Sequence, residues 1–479
     1  MVSHAAETKT KIVCTIGPAS HHEGVLRGMI RAGLDVARIN CSHGTPTEHE
    51  AMIRLVRRLA DEESAVVAVM VDLQGPKLRV GSLAEPIELT GGDWLSFTTL
   101  PADGTAHVVP LPHPEIIASA TVGQRLLLDD GAIEVEIREV RETTMVGQVV
   151  VGGRLTSHKG IAAPDGVTRV ASLTAKDHED VVFAVTRGVD FVALSFVQTA
   201  DDLRELRSLL DDQAHSGRDV RIVAKIESRS AVERFDEILA EADAVMVARG
   251  DLGVELPLEE VPLIQKEIIR KCNRAGVPVI TATQMLQSMV EQPRPTRAES
   301  SDVANAILDG TDAVMLSAET AVGRYPVEVV TTIRQISRVV EDRMRREIEH
   351  GPFVDRPHIH PVTDAIGGAT ARIADEIEAK LIATTTWSGY TARQIARERP
   401  RQPIVAFTAQ EPVLQQLALV WGVTPVLVPD YRSTDEMIDT VTATLRERGE
   451  VVPGDLIVLT GGIPVGGGGK TNFIKVHPI

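Results

Sequence analysis

Three charged residues set the chemical question for this chain of 479 residues: Lys225, Glu227 and Asp251. Lys225 and Glu227 stand two apart at the end of the short apolar run Arg221–Ala224, which reads as a β-strand, so their side chains leave the same face. An ammonium and a carboxylate projecting together would hold an anion and its metal side by side; the alternative is an ion pair on a wet rim. Asp251 follows a second apolar run, Ala244–Val247. With Glu227 it offers two carboxylates on neighbouring strands. A hard cation such as Mg2+ takes one or two carboxylates and completes its shell with water and substrate oxygens. The alternative is a carboxylate pair with a raised pKa. Gly250-Asp251-Leu252-Gly253 allows close backbone approach, and free N–H groups at a helix start favour a carboxylate or phosphate. Arg38, at the end of another apolar run, is suited to fork onto phosphate oxygens.

Such groups need a frame that brings distant segments to one place. Short β-branched runs alternate with amphipathic stretches of helical period, the pattern of a buried parallel sheet covered by helices. The strand candidates are Lys11–Ile16, Asp35–Ile39, Val66–Val71, Asp190–Leu194, Arg221–Ala224, Ala244–Val247, Val277–Thr281 and Ala313–Leu316. Eight is the number that closes a (β/α)8 TIM barrel, whose reacting groups lie at strand C-termini. Those ends carry Arg38, Asn40, Ser42, Asp72, Lys225, Glu227, Gly250, Asp251, Thr283 and Glu319. Asp190, Asp243 and Asp312 each introduce an apolar strand in the same way, as a pseudo-repetitive barrel would. A doubly wound open sheet is the alternative.

The rhythm breaks between about residues 75 and 169. Helical periodicity vanishes there, and Gly/Pro-punctuated strands replace it at Ile87–Leu89, Trp94–Thr98, Arg125–Leu128, Ala132–Val140 and Met145–Val151. Asp129-Asp130-Gly131 is a tight-turn signal. An all-β barrel domain inserted after the third strand is the economical reading, because loops at that end of a barrel tolerate insertions. A charged stretch from about 347 to 360 reads as a linker. Alternation then resumes as a C-terminal three-layer α/β domain. The expected boundaries are 1–73 and 169–346 for the barrel, 74–168 for the insert and 347–479 for the last domain.

Composition narrows the function. A net charge of −17 opposes non-specific binding to nucleic acid polymers or an anionic membrane, so an anionic substrate must meet a local cationic site. With 43% hydrophobic and 24% charged residues the chain is not mainly disordered. Cys14, Cys41 and Cys272 are too scattered for a disulfide framework or a paired-cysteine metal site and read as buried thiols in a reducing compartment. No apolar run reaches the ~18 residues of a membrane span, and the polar N-terminus lacks a signal-peptide core, so a cytoplasmic globular protein is expected. Gly461–Thr471, GGIPVGGGGKT, imitates a phosphate-binding Walker loop but has the wrong glycine spacing and only eight residues after it; it reads as a flexible loop. The histidines, His21-His22 among them, lack metal spacing and read as solvated, and Met285 and Met289 read as core.

Taken together, these segments resemble the pyruvate kinase family along essentially the whole chain. The matching runs are KIVCTIGPAS (Lys11–Ser20), DVARINCSHG (Asp35–Gly44), AKIES (Ala224–Ser228) and MVARGDLGVE (Met246–Glu255). TATQMLQSM (Thr281–Met289), RPTRAESSDVANAILDG (Arg294–Gly310) and MLSAETAVGRYP (Met315–Pro326) match as well. The resemblance implies a reaction, phosphoenolpyruvate + ADP + H+ to pyruvate + ATP, and a set of roles. Arg38 should bind the phosphoryl group and Lys225 should stabilise charge on it and on the enolate. Glu227 and Asp251 should hold Mg2+ or Mn2+. The backbone of Gly250 and Asp251 should receive the substrate carboxylate, with Thr283 beside it near the protonation face. Arg79 and Lys159 resemble the residues that approach the nucleotide phosphates, and a homotetramer is implied.

Two departures from the family pattern carry their own expectations. Potassium-dependent members have Thr after the Asp and Glu in the following GPE triplet, whereas here the run is Asp72-Leu73-Gln74-Gly75-Pro76-Lys77. Leu73 cannot ligate K+, and the Lys77 ammonium offers a built-in cation, so activity without K+ is expected, although Asn40, Ser42 and Asp72 resemble the rest of the ion shell; the alternative makes Lys77 a surface cation. In the C-terminal domain, Thr386, Ser388, Gly389 and Thr391 resemble an effector phosphate loop. Trp387 and Tyr390 stand where fructose-bisphosphate-regulated members have Lys and Arg, which points to a sugar monophosphate or a nucleotide instead. Two other functions stay open on the residues alone: a barrel lyase or aldolase acting on pyruvate through the same carboxylates, and a catalytically silent phosphate sensor.

Overall fold

The computed structural model describes residues 8–76, 78–105, 107–164, 171–213, 219–347, 361–464 and 471–479. The chain opens with β1 (Lys11–Thr15), α1 (Glu23–Ala32), β2 (Val36–Asn40), α2 (Pro46–Glu62) and β3 (Ala68–Asp72). Next come β4 (Ile87–Leu89), β5 (Trp94–Thr98), β6 (Val108–Pro110), α3 (Pro114–Ser119), β7 (Arg125–Leu128), β8 (Ile133–Val140), β9 (Thr144–Val151), β10 (Gly153–Leu155) and β11 (Ile161–Ala162). The β/α alternation returns with α4 (Ala175–Thr186), β12 (Phe191–Leu194), α5 (Ala200–Gln213), β13 (Arg221–Ile226), α6 (Arg229–Glu233) and α7 (Phe235–Glu241). It continues through β14 (Ala244–Ala248), α8 (Arg249–Glu255), α9 (Val261–Ala275), β15 (Val279–Ala282), α10 (Arg297–Asp309), β16 (Ala313–Leu316), α11 (Ala318–Ala321) and α12 (Pro326–Glu347).

Among the described residues, eight parallel strands close a barrel in the order β1-β16-β15-β14-β13-β12-β3-β2. Every expected barrel strand is present, and the open-sheet alternative falls. Helix starts follow local chemistry: Thr45, Thr174 and Thr296 each accept from the backbone three residues on, while Glu48, Asp177 and Glu299 reach back, which satisfies donors a helix end leaves orphaned. Two helices lie outside the expected pattern: α1, which buries a stripe of Leu26, Met29 and Ile30, and α4, whose buried face carries Asp177 and Asp180 among its apolar residues.

The aspartates that introduce strands share one task at the floor of the barrel. Asp35 Oδ2 accepts from the backbone N–H of Ile12 at 2.8 Å and from Arg334 at 2.6 Å. Asp190 Oδ2 accepts from Val69 N–H and Arg57, each at 2.7 Å. Asp243 Oδ2 accepts from Ile222 N–H at 2.9 Å and pairs with Arg207. Asp312 Oδ2 accepts from Val279 N–H at 2.8 Å. Each even-numbered barrel strand is thereby pinned to the start of the strand before it, a charge-assisted bond that also holds register. In the fourth copy the arginine is Arg399, 3.0 Å from Asp312, and it comes from the C-terminal unit.

The inserted strands form a six-stranded sheet, β11-β7-β8-β9-β5-β6, and a two-stranded ribbon, β10-β4, rather than one continuous ring. Gly152 and Gly153 make the break, turning the chain from its pairing with β5 to a new one with β4. Both sheets enclose a single apolar core that includes Leu89, Phe97, Leu126, Val135 and Leu155. One short helix, α3, interrupts the expected all-β pattern.

The C-terminal unit comprises α13 (Pro361–Glu376), β17 (Leu381–Thr385), α14 (Tyr390–Arg397), β18 (Ile404–Thr408), α15 (Glu411–Gln416), β19 (Val423–Leu427), α16 (Thr434–Glu447), β20 (Leu456–Gly462) and β21 (Thr471–Pro478). Alternate residues of its sheet feed two cores: Ile382, Ile404 and Val458 pack with Ala392 and Ile395 of α14, whereas Ala383, Phe407 and Leu459 pack with Val441 and Leu445 of α16. That is the expected three-layer arrangement. The Walker-like segment leads into a strand, β21, antiparallel to β20, so no helix is there to cradle a phosphate. A 3-10 turn, Leu417–Leu419, reaches out of this unit, and Ala418 and Leu419 pack into the barrel interior with Val36, Ala68, Met70 and Phe191. The barrel floor is therefore completed by the C-terminal unit.

Candidate active site

The opposite end of the barrel collects the polar strand ends. Arg38, the third residue of β2, donates from Nε to Asp72 Oδ2 at 2.7 Å, pairs with it through Nη2 at 2.6 Å, and donates from Nη1 to Thr15 Oγ1 at 2.7 Å. Asp72, the last residue of β3, turns its other oxygen to Lys225 Nζ at 3.2 Å. Lys225 also meets Glu227 Oε1 at 2.9 Å and donates to Ser195 Oγ at 2.6 Å. An ammonium carries three protons, and all three have acceptors here. Glu227 Oε2 accepts from the backbone N–H of Phe196 at 2.6 Å. All four charged side chains are buried.

Burial by itself would push the Lys225 ammonium towards neutrality, but the Asp72 and Glu227 carboxylates outweigh it and hold the pKa above the ordinary lysine value. Asp72 shows the mirror image: burial favours its neutral form, yet Lys225 and Arg38 keep it below the usual carboxylate range. Asp251, in the first turn of α8, follows another course. Its side chain still meets solvent, but the surrounding rim and then the Glu227 carboxylate push it up to about 7. Two carboxylates that resist sharing negative charge, both hard oxygen donors, suit a divalent cation of the Mg2+ class. The described residues hold no cluster of three or more metal-ligating side chains, so an ion here would draw its remaining ligands from water and substrate.

Thr283 and Gln284, just beyond β15, adopt left-handed backbones with φ of 68° and 55°. Such conformations cost about 1–3 kcal/mol each in a residue with a side chain and persist only when neighbours enforce them. Arg249 does so here, donating from Nη2 to Thr283 O at 2.6 Å while Asp302 holds Nη1 at 2.7 Å. Thr283 Oγ1 in turn accepts from Gly250 N–H at 2.8 Å, so that N–H has a partner already.

Arg38, Asp72, Lys225, Glu227, Gly250, Asp251 and Thr283 thus share one rim, with Asn40 opposite Asp72 in the β2–β3 register. Asn40 Oδ1 accepts from Ser42 N–H at 3.0 Å. Lys77 lies outside the described residues. On the inserted unit, Lys159 pairs with Asp129 at 2.7 Å and Arg79 donates to His158 O at 3.1 Å. The charge of Asp130, in the same inserted unit, adds to the rise in the Asp251 pKa. Thr386, Ser388, Gly389 and Thr391 lie in the C-terminal unit, which docks on the floor; the buried Thr391 hydroxyl bonds to Thr471 at 2.8 Å.

Several residues escaped the sequence reading. Ser195 and Phe196 directly follow the fourth barrel strand, β12, at the same rim position that carries polar groups on the other strands. His49 is buried, not solvated, its Nε2 2.7 Å from His43 O. The three cysteines are buried and unpaired as expected.

The family model described as pyruvate kinase, barrel domain, matches residues 7–330, and that of the pyruvate kinase alpha/beta domain matches residues 364–477. The chain belongs to the pyruvate kinase family. It is 46% identical to the pyruvate kinase of Geobacillus stearothermophilus, over 98% of this chain and 80% of that protein. It is 43% identical to pyruvate kinase 2 of a Synechocystis strain, over 98% and 79% respectively. A crystal structure of a pyruvate kinase from Cryptosporidium parvum superposes with a TM-score of 0.92 at 34% identity, covering 99% of this chain and 97% of that one. As a member of the pyruvate kinase family the chain is a phosphotransferase, which sets aside the lyase reading.

Proposed function

We propose that the protein moves the phosphoryl group of phosphoenolpyruvate to ADP, giving pyruvate and ATP, with Mg2+ (or Mn2+) held by Glu227 and Asp251. The observation that carries this reading is the buried cation pair, Arg38 and Lys225, sharing Asp72 beside two carboxylates. Phosphoryl transfer needs positioning and charge neutralisation more than covalent chemistry, and this site offers both without a nucleophile. Arg38 forks onto the phosphoryl oxygens. Lys225 follows the charge as it passes to the leaving enolate oxygen. The divalent ion, when bound, neutralises further oxygens of the same group. Gly250 and Asp251 present backbone to the substrate carboxylate, once Gly250 N–H exchanges its Thr283 partner, and Thr283 stands next to the face where the enolate takes its proton.

The inserted unit, residues 74–168, acts as a lid over the barrel of 1–73 and 169–346, with Arg79 and Lys159 meeting the ADP phosphates. K+ is not required: Leu73 offers no side-chain oxygen, and Arg38 and Lys225 already occupy Asp72. Residues 347–479 carry an effector site for a sugar monophosphate or nucleotide at Thr386–Thr391. Family membership supports a cytoplasmic homotetramer; no helix among the described residues is long and apolar enough to cross a membrane.

The test is pyruvate release from phosphoenolpyruvate, with and without ADP and with and without Mg2+, for the wild type and Lys225→Met. Strict dependence on both, and a loss of at least the ~10²–10³-fold quoted for one oxyanion-hole donor in the variant, is the expected result. Near-normal turnover by Lys225→Met would remove the basis of the reading.

A further inference from the structure

Phe196 carries a left-handed backbone, φ 54°, although it is neither glycine nor asparagine. A strained backbone beside a reactive centre is worth tracing to what it holds. Its N–H is the donor to Glu227 Oε2, and its neighbour Ser195 supplies the oxygen that receives Lys225. The Ser195 hydroxyl spends its own proton on Leu73 O at 2.8 Å, so its lone pairs are turned to the ammonium.

The same dipeptide is gripped from the two connections of the inserted unit. On the outgoing side, Leu73 O takes the Ser195 proton, and Gly75 (φ 64°) packs so closely that a Cβ there would lie 2.9 Å from Ser195 Cβ and 3.2 Å from the Phe196 ring. On the returning side, Ser172 Oγ donates to Phe196 O at 3.1 Å, and Asp177 accepts from Gly75 N–H at 3.1 Å, closing the two connections against each other.

We infer that Ser195 and Phe196 are positioning residues: they fix Lys225 and Glu227 and tie both to the roots of the inserted unit. The inference rests on the reading that Lys225 and Glu227 act on the phosphoryl group. Because Ser195 is an uncharged acceptor, it holds Lys225 without competing strongly with an incoming phosphoryl oxygen. The left-handed turn at Phe196 is what aims its N–H across at the β13 end. Movement at the roots of the insert reaches Glu227 through Phe196, and reaches Lys225 through Ser195 as well as through Asp72 at the end of β3.

Three variants in the full-length enzyme test this. Glycine adopts a positive φ freely, whereas β-branched valine resists it. If the backbone turn matters, Phe196→Gly retains a kcat on the order of tenfold higher than Phe196→Val. If Phe196 merely fills space, the order reverses, because glycine removes more of the ring's volume. Ser195→Ala should lower kcat on the order of tenfold while KM for phosphoenolpyruvate changes far less, the mark of a group serving the transition state. Should Phe196→Val fail to fold, Ser195→Ala decides. Equal or reversed order at 196, or an unchanged kcat in Ser195→Ala, overturns the inference. Lys225→Met measured alongside separates the two levels: if it is inactive while these variants behave as wild type, the site stands and the positioning role falls.

Discussion

Asp72 sits between two buried cations, one oxygen 2.6 Å from Arg38 and the other 3.2 Å from Lys225. Removing its charge would leave the guanidinium and the ammonium facing each other in a low-dielectric pocket. Asp72→Asn, which keeps the shape, is expected to cost about 3 kcal/mol of stability and about a hundredfold in kcat/KM, read by thermal unfolding and steady-state kinetics. A fully active, fully stable variant would mean that the pair is not held by this carboxylate.

The same double engagement of Asp72 bears on monovalent cations. At constant ionic strength, turnover in K+ and in an inert salt should agree to within about twofold, since screening is matched. A many-fold rise with K+ would show that Asp72, Asn40 and Ser42 still form a working shell.

Asp251 should make divalent-ion binding depend on pH near neutrality. Its folded pKa of about 7 lies above the ordinary Asp value, so the metal-free protein loses stability as pH rises through about 7. The ion needs the deprotonated form, so Mn2+ affinity followed by titration should weaken on the order of tenfold from about pH 8 to about pH 6. In Asp251→Asn that slope should flatten.

Arg399 closes the fourth aspartate clamp from another unit. Burial raises the Asp312 pKa and Arg399 opposes that rise. For an acid with a raised folded pKa, stability is greatest at low pH and falls as pH climbs through the folded value. Arg399→Met raises it further, so the variant's deficit, about 2 kcal/mol at neutral pH after allowing for the partial exposure of Arg399, should shrink as Asp312 takes up its proton on acidification. Thermal unfolding across pH checks both the size and the slope; a pH-independent deficit would refute the electrostatic origin.

Leu419 should behave as barrel core although it belongs to the C-terminal unit. It is fully buried against strands of the barrel interior. Leu419→Ala is expected to destabilise by about 3 kcal/mol, whereas truncating exposed Leu427 in the same unit should change little. Equal effects from the two would contradict the plug.

Much of this protein was legible in one dimension. Apolar runs such as Ala244–Val247 have no polar alternate face, which only a doubly covered parallel sheet accommodates, and the strand C-termini carry the charges that chemistry needs. The insert announced itself by a change of period at about residue 75. What the pattern could not convey was which side chain answers which. Asp72 read as part of a cation shell, and the structure puts it between Arg38 and Lys225, because bonds across a barrel join residues separated by 34 and 153 positions, a distance no local pattern encodes. Nothing local marks Phe196, whose left-handed turn is held by Gly75, Ser172 and Glu227, all remote in sequence. The floor of the barrel is the same case: nothing local marks Leu419 as barrel core, and only docking of the last unit makes it so. Types and periods are local properties and are written residue by residue, whereas partners are decided by chain closure, which brings distant groups within the few ångströms where hydrogen bonds and buried charges act.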